Sequence, residues 1–374
     1  MPQARADTFS ADTFPRAATF PRVSLLSAYR ATGADLPWGD LRPAHPGVRM
    51  EGYFWRFTDP AGGRVLIALC GVNRARDGFW STLGVASHPT GFLRTVAHPE
   101  GWADPVALGA RAGDAFDGRA DRLSVDLGAD ARIDVRIAEP VPWSRRSLGG
   151  SSVFQAVPAL NQYWHPWLLG GSAHGTATVG GERWDLDGWQ VYAEKNWGAG
   201  GFPEAWWWGQ AQGFEDPGAC VAFAGGRIHS GPLRTEVTAV VVRLPGGRLL
   251  RLGDPVVSPT RAAVTDETWS LRARGARWTV TIEGASPLGS AHVLPVPLPL
   301  ERRNVPGAIE HLGGRMDVVV AERGREVWRG TSRLAALEHG GIERAVAEAR
   351  RRGVAAGAGE AAPARSADVP GHPS

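Results

Sequence analysis

The chain has 374 residues, enough for two domains of ordinary size, with 43% hydrophobic and 21% charged residues and a net charge of only +3. Its 49 Gly and 28 Pro argue against a mostly helical protein, and no apolar run of about 18 residues marks a transmembrane helix. The 41 basic residues are scattered among 38 acidic ones, so the concentrated basic face of a nucleic-acid binder is missing.

Residues 1–20 read as a disordered tail with the character of neither a signal nor a transit peptide. From residue 21 most segments read as short strands divided by Gly, Pro, Asp or Asn, at 48–57, 64–72, 122–127 and 132–138. GGSAHG (170–175) reads as a turn, His165 and His174 as surface residues at strand ends, and 174–188 as a hairpin-like stretch. A domain break near residue 185 gives one unit over 21–185 and a second over 186–352. Strands follow at 189–194, 205–214, 235–244, 277–284 and 315–322, with hairpin turns at LPGGR (244–248) and ARGAR (273–277). Residues 293–307 are too rich in proline for a central strand and read as an apolar surface loop or lid. GIERAVAEARRRG (341–353) reads as a short C-terminal helix whose last turn carries arginines, where the helix dipole favours cations, and 353–374 as a second disordered tail. Many short strands with frequent turns favour barrels or sandwiches over βαβ units, so the expected fold is mainly β. Cys70 and Cys220 lie in apolar runs, as buried reduced thiols do, which points to a cytoplasmic protein, with one disulfide as the alternative.

The richest stretch is 185–214. Nine of the sixteen tryptophans fall between Trp143 and Trp208, which reads as one aromatic-walled region. In an extended strand Glu194 and Asn196 share one face and Lys195 and Trp197 the other, while Trp206, Trp208 and Gln210 form a row. Lys195 is the chain's only lysine, a position where a compact ammonium serves and a planar guanidinium does not. A Glu–Lys pair that merely ties two strands or two barrels is the plain alternative to a functional role, because a buried charge requires a partner. No HExxH or paired-histidine spacing, no G-x-S-x-G elbow and no completed G-x-G-x-x-G loop occurs, so metal, serine-hydrolase and nucleotide chemistry find no residues.

VYAEKNWGAGGFPEAWWWGQ (191–210) closely resembles the signature of the tocopherol cyclase family, Y-A-E-K-N-W-G…F-P…W-x-W-x-Q. HPGVRMEGYFWRF (45–57) and TSRLAALEHGG (331–341) are similar to its early E-G-W-Y-F and closing S-x-x-A-x-x-E-x-G-G stretches, so the resemblance spans about 45–341. The early stretch departs from the pattern, with Tyr53, Phe54 and Trp55 in place of Trp-Tyr-Phe, which leaves pocket shape and substrate open. The resemblance implies two lipocalin-like antiparallel barrels packed side by side and a ring closure on a prenylated quinol-type aromatic, with no metal or organic cofactor. Such a closure needs a carboxylic acid kept protonated by apolar surroundings, aromatic faces for a tertiary carbocation, and exclusion of water. Glu194 is the expected acid, with Glu51 taking the role if Lys195 pairs with Glu194, and Asp185 and Asp187 flank the motif. Lys195, Asn196 and Gln210 are candidates to bind phenolic oxygens, and Tyr53, Trp55, Tyr192, Trp197, Phe202, Trp206 and Trp208 to wall the cavity. A non-catalytic carrier of an apolar prenyl-lipid, a hydratase of a carotenoid-type alkene and a purely structural segment are the competing readings. An apolar substrate also makes transient peripheral contact with a membrane an expectation, through residues 293–300.

Overall fold

The computed structural model describes residues 25–144 and 148–353; the expectations for the tails at 1–20 and from 354 onward lie outside the described residues. A short helix, α1 (Leu25–Arg30), precedes two sheets. The first sheet begins with β1 (Met50–Asp59), β2 (Arg64–Arg74), β3 (Phe79–His88), β4 (Leu93–His98), β5 (Trp102–Ala103) and β6 (Gly109–Ala112). It continues with β7 (Phe116–Arg119), β8 (Arg122–Asp126), β9 (Ala131–Ala138), β10 (Tyr163–Leu168), β11 (Ser172–Val179), β12 (Glu182–Asp185) and β13 (Gln190–Gly198). The second sheet holds β14 (Trp206–Ala211), β15 (Cys220–Ser230), β16 (Leu233–Arg243), β17 (Leu249–Leu252) and β18 (Thr260–Val264). Its later strands are β19 (Thr268–Arg274), β20 (Trp278–Ala285), β21 (His292–Leu298), β22 (Arg303–Glu322) and β23 (Arg325–Gly340), after which α2 (Ile342–Arg351) ends the described chain.

The expected mainly β architecture holds: two large antiparallel sheets and a short C-terminal helix. The first is ordered β4-β3-β2-β1-β13-β11-β9-β8-β7-β6-β5, the second β17-β16-β15-β14-β23-β22-β20-β19-β18. Each hydrogen-bonded path stays open at its ends, so neither sheet closes edge to edge as the barrel expectation had it. The chain passes from the first sheet to the second through residues 199–205, since β13 pairs with β1 and β14 pairs with β23. Among the described residues no helix is long and apolar enough to cross a membrane.

Period-two alternation decides where everything sits. One face of β1, β2 and β13 sends Trp55, Phe57, Leu66, Ala68, Val191 and Ala193 into the core of the first sheet. The second sheet encloses its own core, with Trp207, Phe223, Trp269 and Leu337. The opposite faces of the two sheets meet in smaller apolar clusters that include Ile67, Trp206, Leu294 and Leu334, and Tyr192, Trp208 and Ala336. Burying apolar area at about 25 cal/mol per Å² makes these packed faces the main stabilising term. Arg56 pins the junction: from β1 it donates to Gln210 Oε1 at 2.8 Å and Thr58 Oγ1 at 2.7 Å, and to the carbonyls of Leu312 and Leu334.

Three local expectations are corrected. Residues 292–298 form β21, which pairs only with β22, and an edge position is where Pro295 and Pro297 can stand without removing a needed ladder donor. GGSAHG is not wholly a turn, since β11 starts at Ser172. His165 is buried on β10, and burial, with the nearby Lys195 charge, pushes its imidazole down to about 3; His174 does lie at the surface, 3.7 Å from Asp187. Both cysteines are free and buried, and burial pushes each thiol up to about 12.

Candidate active site

The two sheets do not fill the space between them. A cavity of about 190 Å³ lies at their junction, walled by Phe54, Leu69, Trp164, Glu194 and Asn196 from the first half and by Trp206, Trp208, Glu310 and Glu338 from the second. Leu294, Pro295 and Val296 of the edge strand β21, with Phe202 from the inter-sheet loop, close an apolar side. The register explains the free space. Asn196, Gly52, Gly71 and Thr82 stand opposite one another across β13, β1, β2 and β3, and two of these four carry no side chain. At Gly52 a Cβ would come within 2.6 Å of Asn196 Oδ1, so glycine there is what lets Asn196 stand at the cavity wall.

Glu194 is buried, and its Oε2 accepts three hydrogen bonds: from Tyr192 Oη at 2.6 Å, Trp164 Nε1 at 2.8 Å and Trp208 Nε1 at 2.9 Å. All three donors are neutral. Burial therefore dominates, and it pushes the Glu194 carboxyl up to about 7 against those hydrogen bonds, with the Glu338 charge adding to the rise.

Two carboxyls that the sequence reading did not nominate share the cavity. Glu310 and Glu338 are opposite each other across β22 and β23. Trp206 Nε1 donates to Glu338 Oε1, while no N–H or hydroxyl among the described residues reaches either oxygen of Glu310. Burial holds Glu338 up at about 7, and burial together with the Glu338 charge holds Glu310 well above the ordinary carboxylate range. A signal for one of them was present: Glu338 is the glutamate of TSRLAALEHGG. Nothing local marks Glu310, whose importance arises only from its cross-strand neighbour.

The other face of β13 is a separate polar cluster. Lys195 Nζ lies 3.4 Å from Glu51 Oε1 and 3.2 Å from His45 Nδ1, and donates to the carbonyl of Pro43 at 2.8 Å. His45 Nδ1 lies 3.0 Å from Glu51 Oε1, its Nε2 lies 2.6 Å from Asp35 Oδ2, and Tyr53 Oη donates to Glu51 Oε2 at 2.8 Å. The His45 ring stacks on Trp197, with centroids 4.4 Å apart. Burial would raise Glu51, but the Lys195 ammonium and His45 overcome it and hold the carboxyl down at about 2.

The predicted site residues thus divide. Glu194, Asn196, Phe202, Trp206 and Trp208 line the cavity, and Tyr192 reaches it through its bond to Glu194; Tyr53 borders it, but its hydroxyl turns to the opposite face and donates to Glu51. Glu51, Lys195 and Trp197 do not, because strand alternation turns them to the opposite face, where Glu51 is an ion-paired anion unsuited to donate a proton. Trp55 packs on Phe116 and Trp167 in the first core, and Gln210 serves Arg56. Asp185 accepts from the Asp187 N–H in the exposed turn after β12, and Asp187 accepts from the Gly175 N–H of β11. The tryptophans form no single wall either: Trp184 and Trp189 pack on each other in the first core.

A family model described as tocopherol cyclase-like matches residues 95–341, about two thirds of the chain. The chain is 38% identical over 73 residues to a probable chloroplastic tocopherol cyclase of Oryza sativa subsp. japonica, covering 19% of this chain and 15% of the rice protein. Against the chloroplastic tocopherol cyclase of Zea mays it is 35% identical over 74 residues, covering 20% and 15%. These matches therefore span only a small part of the plant proteins. Among solved structures, CghA with Sch210972 superposes with a TM-score of 0.52 at 12% identity, over 78% of this chain and 88% of that one, a likeness of fold.

Proposed function

We propose that this chain, which belongs to the tocopherol cyclase-like family, is a cyclase- or hydratase-type enzyme that protonates an alkene of an apolar, prenylated substrate. The observation that carries the reading is Glu194: a carboxyl on the wall of an aromatic cavity, held by three neutral donors and poised near 7. Such a group can exchange a proton at neutral pH, which an ordinary carboxylate cannot do efficiently.

Protonation of a trisubstituted alkene gives a tertiary carbocation, and the indole faces of Trp206 and Trp208 at the cavity wall are the groups suited to stabilise it. A phenol oxygen of the same substrate then closes the ring and loses its proton to the enzyme, with Asn196 placed to orient that oxygen. Water in place of the phenol would give hydration, so the apolar side formed by Leu294 and Val296 favours cyclisation by excluding it. Glu194 is the proposed proton-transfer group. Lys195 is not part of this proposal, since its ammonium is already committed to Glu51 and backbone carbonyls.

The test is turnover of a panel of prenylated hydroquinones by the wild type and Glu194→Gln. The variant is expected to lose roughly 10²–10⁴-fold in kcat with fold and ligand affinity kept. Undiminished turnover rejects the role of Glu194, and a wild type that binds the panel but converts none of it is a carrier.

A further inference from the structure

The second sheet places a row of side chains across the cavity. Ala239, Ala224, Trp208, Glu338, Glu310 and His292 stand in register on β16, β15, β14, β23, β22 and β21. The alanines leave room over one end of the row, and beyond the indole of Trp208 come two facing carboxyls. Burying two carboxylates side by side is prohibitively costly, and two carboxyls hydrogen-bond each other only when one keeps its proton. Arg56, whose charge acts on Glu310, spends its hydrogen bonds on Thr58, Gln210 and two backbone carbonyls.

The pair is asymmetric. Glu338 has Trp206 Nε1 as a donor and keeps part of its surface open where it lines the cavity. Glu310 is fully buried and has no donor except a protonated partner. An anion on Glu338 would be held by two donors, the Trp206 indole and the Glu310 hydroxyl, whereas an anion on Glu310 would lack the indole. Across the cavity the three donors on Glu194 Oε2 favour a carboxylate there. One of those donors is Trp208, the residue opposite Glu338 in register, so the two carboxyls flank a single indole.

We propose that Glu338 is the proton donor of the reaction, that Glu310 stays protonated and positions its conjugate base, and that Glu194 accepts the proton from the attacking oxygen. This rests on the alkene-protonation reading above and moves the donor role away from Glu194. The Glu338 O–H bond breaks as a C–H bond forms on one alkene carbon, the π pair being consumed and the other carbon left as the cation. A lone pair of the substrate oxygen closes the C–O bond, and its O–H proton passes to Glu194. The substrate is isomerised with no atom gained or lost, and return of the proton from Glu194 to Glu338 resets the enzyme.

The groups facing Glu338 are Glu310 of β22 and Glu194 of β13, with Arg56 of β1 acting on Glu310 and His292 of β21 opposite it. Since the donor must be protonated, turnover falls as pH rises through about 7. Since the acceptor must be ionised, turnover also falls below about 7. A narrow bell results.

The experiment follows turnover of prenylated hydroquinones in deuterium oxide by the full chain and by Glu338→Gln, Glu310→Gln, Glu310→Ala and Glu194→Gln. Solvent deuterium is expected on the alkene-derived carbon, with turnover by Glu338→Gln down roughly 10²–10⁴-fold and ligand affinity kept. Glu310→Gln, which keeps a neutral donor, is expected to leave the alkaline limb in place. Glu310→Ala, which removes the donor, should move that limb upward. If Glu338→Gln does not fold, Glu338→Asp carries the test by retracting the same acid, with kcat falling and KM unchanged. Full turnover by Glu338→Gln beside a dead Glu194→Gln overturns the inference and leaves the function intact, with Glu194 as donor. A wild type that converts no member of the panel overturns the function itself.

Discussion

Two glutamates on paired strands of one sheet, Glu51 of β1 and Glu194 of β13, are both about 95% buried, yet their carboxyls sit near 2 and near 7. Both lie among aromatic rings and both take a tyrosine hydroxyl, Tyr53 on one and Tyr192 on the other. The difference is a cation. Glu51 has the Lys195 ammonium at 3.4 Å and His45 at 3.0 Å, while Glu194 has only hydroxyl and indole donors. Neutral donors stabilise a carboxylate, but here they do not offset desolvation; a full positive charge does. The same strand therefore presents the Lys195 ammonium, paired with Glu51, on one face and a carboxyl held near 7 on the other.

Removing the cation should break the contrast most severely. Lys195→Met leaves Glu51 buried without its ammonium and is expected to cost about 3–5 kcal/mol, read by urea unfolding. A variant as stable as the wild type would mean that His45 and Tyr53 suffice for Glu51. Acid sharpens the comparison next. Because folding holds Glu51 below its ordinary 4.5, its contribution is complete above that value and is lost as pH falls toward about 2. Acid melts of the wild type should show that loss as about 3 kcal/mol, and Lys195→Met should flatten it.

The smallest effect has the opposite sign. Folding raises Glu194 from 4.5 to about 7, so its contribution is complete below 4.5 and disappears as pH rises through 7. Glu194→Gln should therefore be more stable than the wild type by roughly 1–2 kcal/mol at about pH 8 and flatter in its pH dependence. An unchanged slope would show that Glu194 ionises as an exposed carboxyl does.

Much of this arrangement was legible in the residues. The alternation of 191–198 separates Glu194 and Asn196 from Lys195 and Trp197, the lone lysine marks a site that needs a compact cation, and GIERAVAEARRRG becomes α2. Local pattern was misleading where edge and interior must be told apart. The prolines of 292–298 spoke against a central strand, and β21 is an edge strand that walls the cavity. Trp55 and Trp197 stand in aromatic runs like Trp208, but they point into other clusters.

What the sequence determined by itself was strand type, the sharing of faces within each strand, and the family resemblance, because side-chain alternation and turn chemistry are properties of a few consecutive residues. Only the tertiary structure decided which face meets the other sheet and which carboxyls stand together. Glu310 and Glu338 reach Glu194 through the pairing of β22 with β23, of β23 with β14, and the packing of one sheet on the other. Glu194 stands more than a hundred positions before either of them in the chain, and burial, the quantity that shifts a carboxyl toward neutrality, exists only once these contacts are made.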